Sequence, residues 1–245
     1  MKIFIILFTL ILSINASAQT SEELILQANM KHEQGDYEGA IADYNKALEI
    51  DPRDKYAYVY RGDSRVQTGN LQGAAEDYSK ALEIDNRYAI AYYYRANIRY
   101  KLQEYEGALE DYNSMIKIVP LFSTGYNNRG KTKVELNDYK GAIADFNKAI
   151  EIDSKYAKAY LNRGNAKADI HDIQGAINDY NQAIIINPEF ADAFYHRGFS
   201  KILLGQKHSG CRDLKRAKNL GKPETSFLLK EFCHDMAPIR GESWK

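Results

Sequence analysis

An all-α fold of stacked helix pairs is what this sequence predicts, and three observations carry the prediction. A 34-residue unit recurs six times between Ser21 and Glu224 without an insertion or deletion, and self-similarity at such a period marks repeat architectures. Three columns of small residues run through the copies. Position 8 holds Ala28, Gly62, Ala96, Gly130, Gly164 and Gly198; position 20 holds Ala40, Ala74, Ala108, Ala142, Ala176 and Gly210; position 27 holds Ala47, Ala81, Met115, Ala149, Ala183 and Ala217. Large residues fill the levels between, with Leu24, Tyr58, Tyr92, Tyr126, Tyr160 and Phe194 at position 4 and Tyr44, Tyr78, Tyr112, Phe146, Tyr180 and Leu214 at position 24. Alternating large and small levels interlock into a close-packed core. Glycine inside a helix costs about 1 kcal/mol relative to alanine, so its recurrence at position 8 predicts close approach between neighbouring helices.

Taken in chain order, residues 1–18 read as a cleaved signal peptide. A basic start at Lys2, an apolar run from Ile3 to Ile14 and the small-residue site Ala16-Ser17-Ala18 leave Gln19 as the mature terminus. A membrane anchor needs about 20 apolar residues, more than this run supplies. The repeats then occupy 21–54, 55–88, 89–122, 123–156, 157–190 and 191–224. Within each, position 15 carries a residue suited to the left-handed end of a helix, as in Gly35, Gly69, Asn137 and Gly205. Gln103 and His171 are weaker turn residues there. The following Asp36, Asn70 and Asp138 suit the N-cap of a second helix, which stops near Pro52, Pro120 or Pro188. Residues 225–245 form a capping helix and short tail. A turn near Gly221 folds that helix back and brings Cys211 and Cys233 to similar heights. An exported chain meets an oxidising compartment, so a Cys211–Cys233 disulfide is expected; two buried small hydrophobes are the alternative.

These columns resemble the tetratricopeptide repeat family, over about five-sixths of the chain. The marks are small residues at positions 8, 20 and 27, aromatics at 4 and 24, and proline at 32. The resemblance implies a right-handed superhelical solenoid whose first helices line a concave groove that holds partner proteins or peptides, without catalysis. The departures are Gln103, His171 and a degenerate sixth unit with Gly210 and Leu214.

Charge patterning points the same way. The chain has 33 basic and 33 acidic residues, so it lacks the one-sided positive field of a nucleic-acid binder. Position 7 is Arg61, Arg95, Arg129, Arg163 and Arg197, and position 23 is Asp43, Asp77, Asp111, Asp145, Asp179 and Asp213. Arginine's planar fork suits bidentate pairing with carboxylate, so these read as an interhelical ladder. Each arginine can reach the aspartate of its own unit or of the preceding one. Glycine at position 19 (Gly39, Gly73, Gly107, Gly141, Gly175) has no evident reason in the sequence.

Function is expected on what the structural columns leave over. Of 19 tyrosines, Tyr56, Tyr60, Tyr93, Tyr94, Tyr100 and Tyr195 fall outside the repeated columns, all on first helices. In the family, positions 2, 5, 9, 12 and 13 face the groove. The expected partner-binding set is therefore Tyr56, Tyr93, Asn97, Tyr100, Asn127, Lys131, Lys158, Asn165 and Tyr195, with packing between adjacent first helices the competing role for several tyrosines. Some family members clamp a terminal carboxylate; Asn97, Asn128 and Lys158 fit that pattern, while Tyr93 and Asn162 replace two of its cations. The histidines His32, His171, His196, His208 and His234 show no metal spacing, and no phosphate loop or nucleophile elbow is present. The expectation is thus a non-enzymatic, cofactor-free scaffold in the cell envelope or outside the cell, with a protein or peptide partner. A glycan-binding module using the same tyrosines is the alternative.

Overall fold

The computed structural model describes residues 19–234; the signal-peptide reading and the tail from residue 235 onward lie outside them. Among the described residues there are thirteen helices and no strand. First helices of successive repeats are α1 (Ser21–Glu33), α3 (Lys55–Gln67), α5 (Ala89–Lys101), α7 (Ser123–Glu135), α9 (Ala157–Asp169) and α11 (Ala191–Leu203). Second helices are α2 (Tyr37–Ile50), α4 (Leu71–Ile84), α6 (Tyr105–Ile118), α8 (Tyr139–Ile152), α10 (Ile173–Ile186) and α12 (Lys207–Asn219), with α13 (Thr225–Phe232) after them. The chain divides into two compact units, one ending at Ile98 and the other beginning at Arg99. Within the first, α1 packs on α2, α2 on α3 and α3 on α4. Within the second, α6 to α13 pack each on the next.

Local chemistry sets each break. Thr20 and Glu23 form a reciprocal capping box at the start of α1. Position 15 adopts positive φ in every repeat: 82° at Gly35 and Gly69, 75° at Gly205, and 63°, 61° and 64° at Gln103, Asn137 and His171. The two turns that the sequence marks as weak therefore form like the rest, because the helices on either side hold Gln103 and His171 in a conformation that favours glycine. Asp36, Asn70, Asp138 and Asp172 then cap the second helices by accepting the N–H of Gly39, Gly73, Gly141 and Gly175. This explains the glycine at position 19 in four of its five copies; in the third repeat Glu104 makes no side-chain cap, and Gly107 lies against Arg99. A Cβ on Gly175 would stand 2.1 Å from Asp172 Oδ2, and one on Gly39 would stand 2.1 Å from Asp36 Oδ2, so a side chain there would displace the cap.

The small columns at positions 20 and 27 are fully or almost fully buried. Position 8 needs a refinement. Gly62, Gly130 and Gly164 lie beneath the rings of Tyr78, Phe146 and Tyr180 of their own repeats, where an added Cβ would come within 2.8, 2.7 and 2.5 Å. The close partner is an aromatic face, not a neighbouring backbone. In the sixth repeat backbones do meet, where Gly198 faces the Gly210 carbonyl and Gly210 that of Gly198. The loss of the aromatic at Leu214 and the gain of Gly210 are thus one coordinated change. Beyond it, α13 packs on α12, and Cys211 and Cys233 form a disulfide with Cα atoms 6.0 Å apart. The bridge joins an apolar cluster of Leu214 and Leu228, against which Tyr195, Phe199 and Phe232 pack.

Candidate ligand-binding surface

Much of the polar chemistry on the first helices holds the fold together. In four repeats the position 7 arginine forks onto the aspartate of its own repeat: Arg61 to Asp77, Arg129 to Asp145, Arg163 to Asp179 and Arg197 to Asp213, with shortest contacts of 2.5–2.6 Å. The same guanidinium reaches back one repeat, from Arg61 to Asn45, Arg95 to Ser79, Arg129 to Asn113, Arg163 to Asn147 and Arg197 to Asn181. The ladder therefore ties repeats together while pairing charge within each one. Sequence reasoning missed a second cation column at position 11. Lys31, Arg65, Arg99, Lys133, Lys167 and Lys201 reach Asp43, Asp77, Asp111, Asp145, Asp179 and Asp213. Its signal was present, since every copy is Lys or Arg.

Position 9 carries a further structural role. The hydroxyls of Tyr44, Tyr78 and Tyr180 donate to Asn29, Asp63 and Asn165 at 2.5, 2.7 and 2.9 Å. Where position 24 lacks a hydroxyl, at Phe146 and Leu214, position 9 is Lys131 and Phe199. Asn165 is thus held by the framework and accepts from Tyr180. Asn127, expected at the binding face, is instead buried at 3 % exposure. Its amide donates to Asn128 and accepts from Asn162, so it is a core polar group rather than a contact for a partner. The same bond occupies Asn162, the residue standing where a carboxylate clamp requires a cation.

The remaining expected residues divide by exposure. Tyr56 and Tyr60 on α3 are 49 % and 39 % exposed. Tyr56 sets its edge on Tyr88 beneath the Lys55 ammonium, and Tyr60 tilts against Tyr44. Tyr93 and Asn97 are half-buried, and Tyr93 tilts on Tyr94 at 5.7 Å. Tyr100 is tied down: its hydroxyl donates to Glu135 at 2.9 Å, and the exposed Lys131 ammonium stands 4.8 Å above its ring. Burial, then the Glu135 carboxylate, push that phenol well above its ordinary pKa. Tyr195 packs on the disulfide cluster with Lys222 over its ring, and Lys158 is exposed.

In the first unit a cavity of about 420 Å³ has Lys55, Tyr56 and Asp85 in its wall, and another lies against α1 and α3. The latter measures about 300 Å³ and is lined by Asn29, His32, Glu33, Tyr44, Tyr60 and Asp63. Burial raises the Asp63 carboxyl above the usual carboxylate range, against the lowering effects of the Tyr78 hydroxyl and the nearby His32. A smaller cavity of about 170 Å³ in the second unit has Tyr100, Lys131 and Glu135 in its wall. Among the described residues, no His, Cys, Asp and Glu cluster is placed to hold a metal ion, and no helix is long and apolar enough to cross a membrane.

Comparison with known proteins follows the same periodicity. The TPR repeat model matches residues 28–65, 62–103, 130–170 and 172–205, and a second tetratricopeptide repeat model matches 90–121. No curated protein matches the chain. Among solved structures, MamA is 23 % identical with a TM-score of 0.64, over 67 % of this chain and 96 % of that one. YrrB, described as a TPR protein with an unusual peptide-binding site, is 22 % identical with a TM-score of 0.63, over 77 % and 97 %. PilF of Pseudomonas aeruginosa is 19 % identical with a TM-score of 0.71, over 86 % and 97 %. At these identities the likeness is one of fold.

Proposed function

The chain belongs to the tetratricopeptide repeat family, and from that premise we propose that it is a non-enzymatic scaffold holding a protein or peptide partner on the face built by its first helices. The observation that carries this reading is the pair Tyr56 and Tyr60, which stay exposed on α3 after the ladder and the position 9 bonds have used their residues. Tyrosine supplies large, amphipathic contact area and is enriched at binding hot spots. Within each unit the arginine and lysine ladder ties first helices to second helices before any partner arrives, which limits the ordering cost of association. The peptide-binding site named for YrrB supports the same reading by analogy of fold.

The proposed setting is the cell envelope or the outside of the cell. The Cys211–Cys233 disulfide supports it, because such bonds persist in oxidising compartments. So does the signal-like composition of residues 1–18. Fractionation with intact-mass measurement tests this: a mature chain beginning at Gln19 outside the cytoplasm is expected, and an uncleaved cytoplasmic chain refutes it. Cross-linking capture from envelope extracts tests the scaffold role, comparing the native chain with the Tyr56→Ala/Tyr60→Ala variant. A protein captured by the native chain and lost with the folded variant is expected. Equal capture by both refutes the assignment of this face, and capture of glycan fragments alone favours the glycan module.

A further inference from the structure

We propose that the cavity walled by Tyr44, Tyr60 and Asp63 receives a basic side chain of the partner, a lysine ammonium in the first instance. The proposal rests on the peptide-binding reading and adds the chemistry of one contact to it. Its starting point is a charge that the framework does not need. The position 9 residue has to accept a hydroxyl from the position 24 tyrosine, and neutral Asn29 and Asn165 do this for Tyr44 and Tyr180. Asp63 does the same for Tyr78 but brings a formal negative charge into a half-buried site.

Among the described residues, no lysine or arginine pairs with that charge, and His32 opposes its effect only in part. The other carboxylates buried in this unit each have two cations: Asp43 has Lys31 and Lys46, and Asp77 has Arg61 and Arg65. Among the described residues Asp63 has no ion pair, and the hydrogen bond it accepts from Tyr78 falls on Oδ1, leaving Oδ2 without a donor. A half-buried carboxylate without a cation gives up part of its hydration, and burial does raise its affinity for a proton.

The walls suit a cation on a flexible stem. Tyr60 brings an exposed phenol ring, a group that attracts an ammonium, and Glu33 adds a second carboxylate to the lining. Among the described residues, no lysine or arginine lines the cavity. His32 Nδ1 lies 2.8 Å from the Ser64 hydroxyl, which also reaches the Tyr60 carbonyl at 3.0 Å. A volume of about 300 Å³ accommodates such a side chain.

The test uses the mature chain and two blocked pentapeptides, Ala-Ala-Lys-Ala-Ala and the same peptide with norleucine in place of lysine, titrated by amide NMR. The lysine peptide is expected to bind about tenfold more tightly, shifting signals from α1 and α3, a preference in line with a partly desolvated cation–π and ion-pair contact. Asp63→Asn retains the acceptor for Tyr78, as Asn29 and Asn165 show in their own repeats, so the variant is expected to fold and to abolish the preference. Equal binding of both peptides overturns the cation site while leaving a peptide-binding face intact. Failure of the lysine peptide to bind at millimolar concentration, or a preference unchanged in folded Asp63→Asn, also overturns it. The capture experiment judges the scaffold reading separately. The native comparison of lysine with norleucine decides the matter even if the variant does not fold.

Discussion

Replacing Asp179 with alanine isolates what the charge ladder contributes. Asp179 is 3 % exposed and accepts from Arg163 Nε at 2.9 Å, Arg163 Nη2 at 2.5 Å and Lys167 Nζ at 2.8 Å. Its removal leaves two cations facing each other with no anion between them. Breaking a buried pair by deleting one partner costs about 3–5 kcal/mol. Arg163 and Lys167 keep 17 % and 22 % side-chain exposure and so recover some hydration, which places the expected loss near 3 kcal/mol. Lys167→Met is a different perturbation. Asp179 then keeps its bidentate arginine, and the ammonium removed was partly in water, so the loss should be about 1 kcal/mol or less. Urea denaturation followed by circular dichroism measures both, with hydrogen exchange showing whether opening is confined to α9 and α10, as nearest-neighbour stacking predicts. A loss below about 1 kcal/mol for Asp179→Ala refutes the reasoning. So does a Lys167→Met cost equal to that of Asp179→Ala.

Three further perturbations follow from other parts of the molecule. His171→Gly relieves a non-glycine residue at φ 64° and should raise stability by about 1 kcal/mol in the same denaturation assay; no gain would mean that the His171 side chain makes contacts that offset the strain. Replacing Cys211 and Cys233 with alanine opens a 22-residue loop and should cost roughly 3 kcal/mol on the loop-entropy account, with reductant bringing the native melt down to that of the variant. Asp63→Asn should raise the melting temperature at pH 7, with the advantage shrinking as pH falls. The sign follows from the raised carboxyl: the folded chain binds this proton more tightly than the unfolded chain, so native stability drops as pH rises from the ordinary carboxylate range through the raised value, and asparagine removes that loss. The groups facing Asp63 are Tyr78, Tyr44, Tyr60, Tyr88, Tyr94, His32 and Glu33, and desolvation by burial outweighs the lowering effects of Tyr78 and His32. A variant advantage that grows on acidification would contradict it.

The repeats were legible because each column obeys one physical demand six times over. Ala40 and its equivalents have no room for a larger side chain, and Asp77 and its equivalents have cations that need them. Column reading found which residues belong to the framework but not always why. Position 19 looked unexplained because, in every copy but Gly107, its reason lies in a side chain three residues earlier, as where the Asp172 carboxylate occupies the space that a Cβ on Gly175 would fill. Position 8 suggested backbone contact where an aromatic face was the partner, since sequence spacing gives no height for the Tyr180 ring above Gly164. The candidate site was harder to read. Exposure distinguishes Tyr56 from Tyr100, and both are tyrosines at positions the family places on one face. Asn127 misled for the same reason, because its position looks outward in the repeat while its amide is spent on Asn128 and Asn162.

Positions 9 and 24 show how function becomes separable from framework in a repeat. If position 9 served only a partner, its residue type would be independent of position 24. Instead, an acceptor stands at Asn29, Asp63 and Asn165 where a tyrosine hydroxyl must be received, and Lys131 and Phe199 stand where position 24 has no hydroxyl. The framework therefore accounts for an acceptor at position 9 but not for the charge on it, and that difference is confined to Asp63. Lys131 is the complementary case: released from a hydroxyl it does not have to bind, it stands over Tyr100 with its ammonium exposed. A residue that exceeds what its column requires is where selection beyond folding becomes visible. By that criterion Asp63 in the first unit and Lys131 in the second mark the chemistry by which this repeat array would distinguish one partner from another.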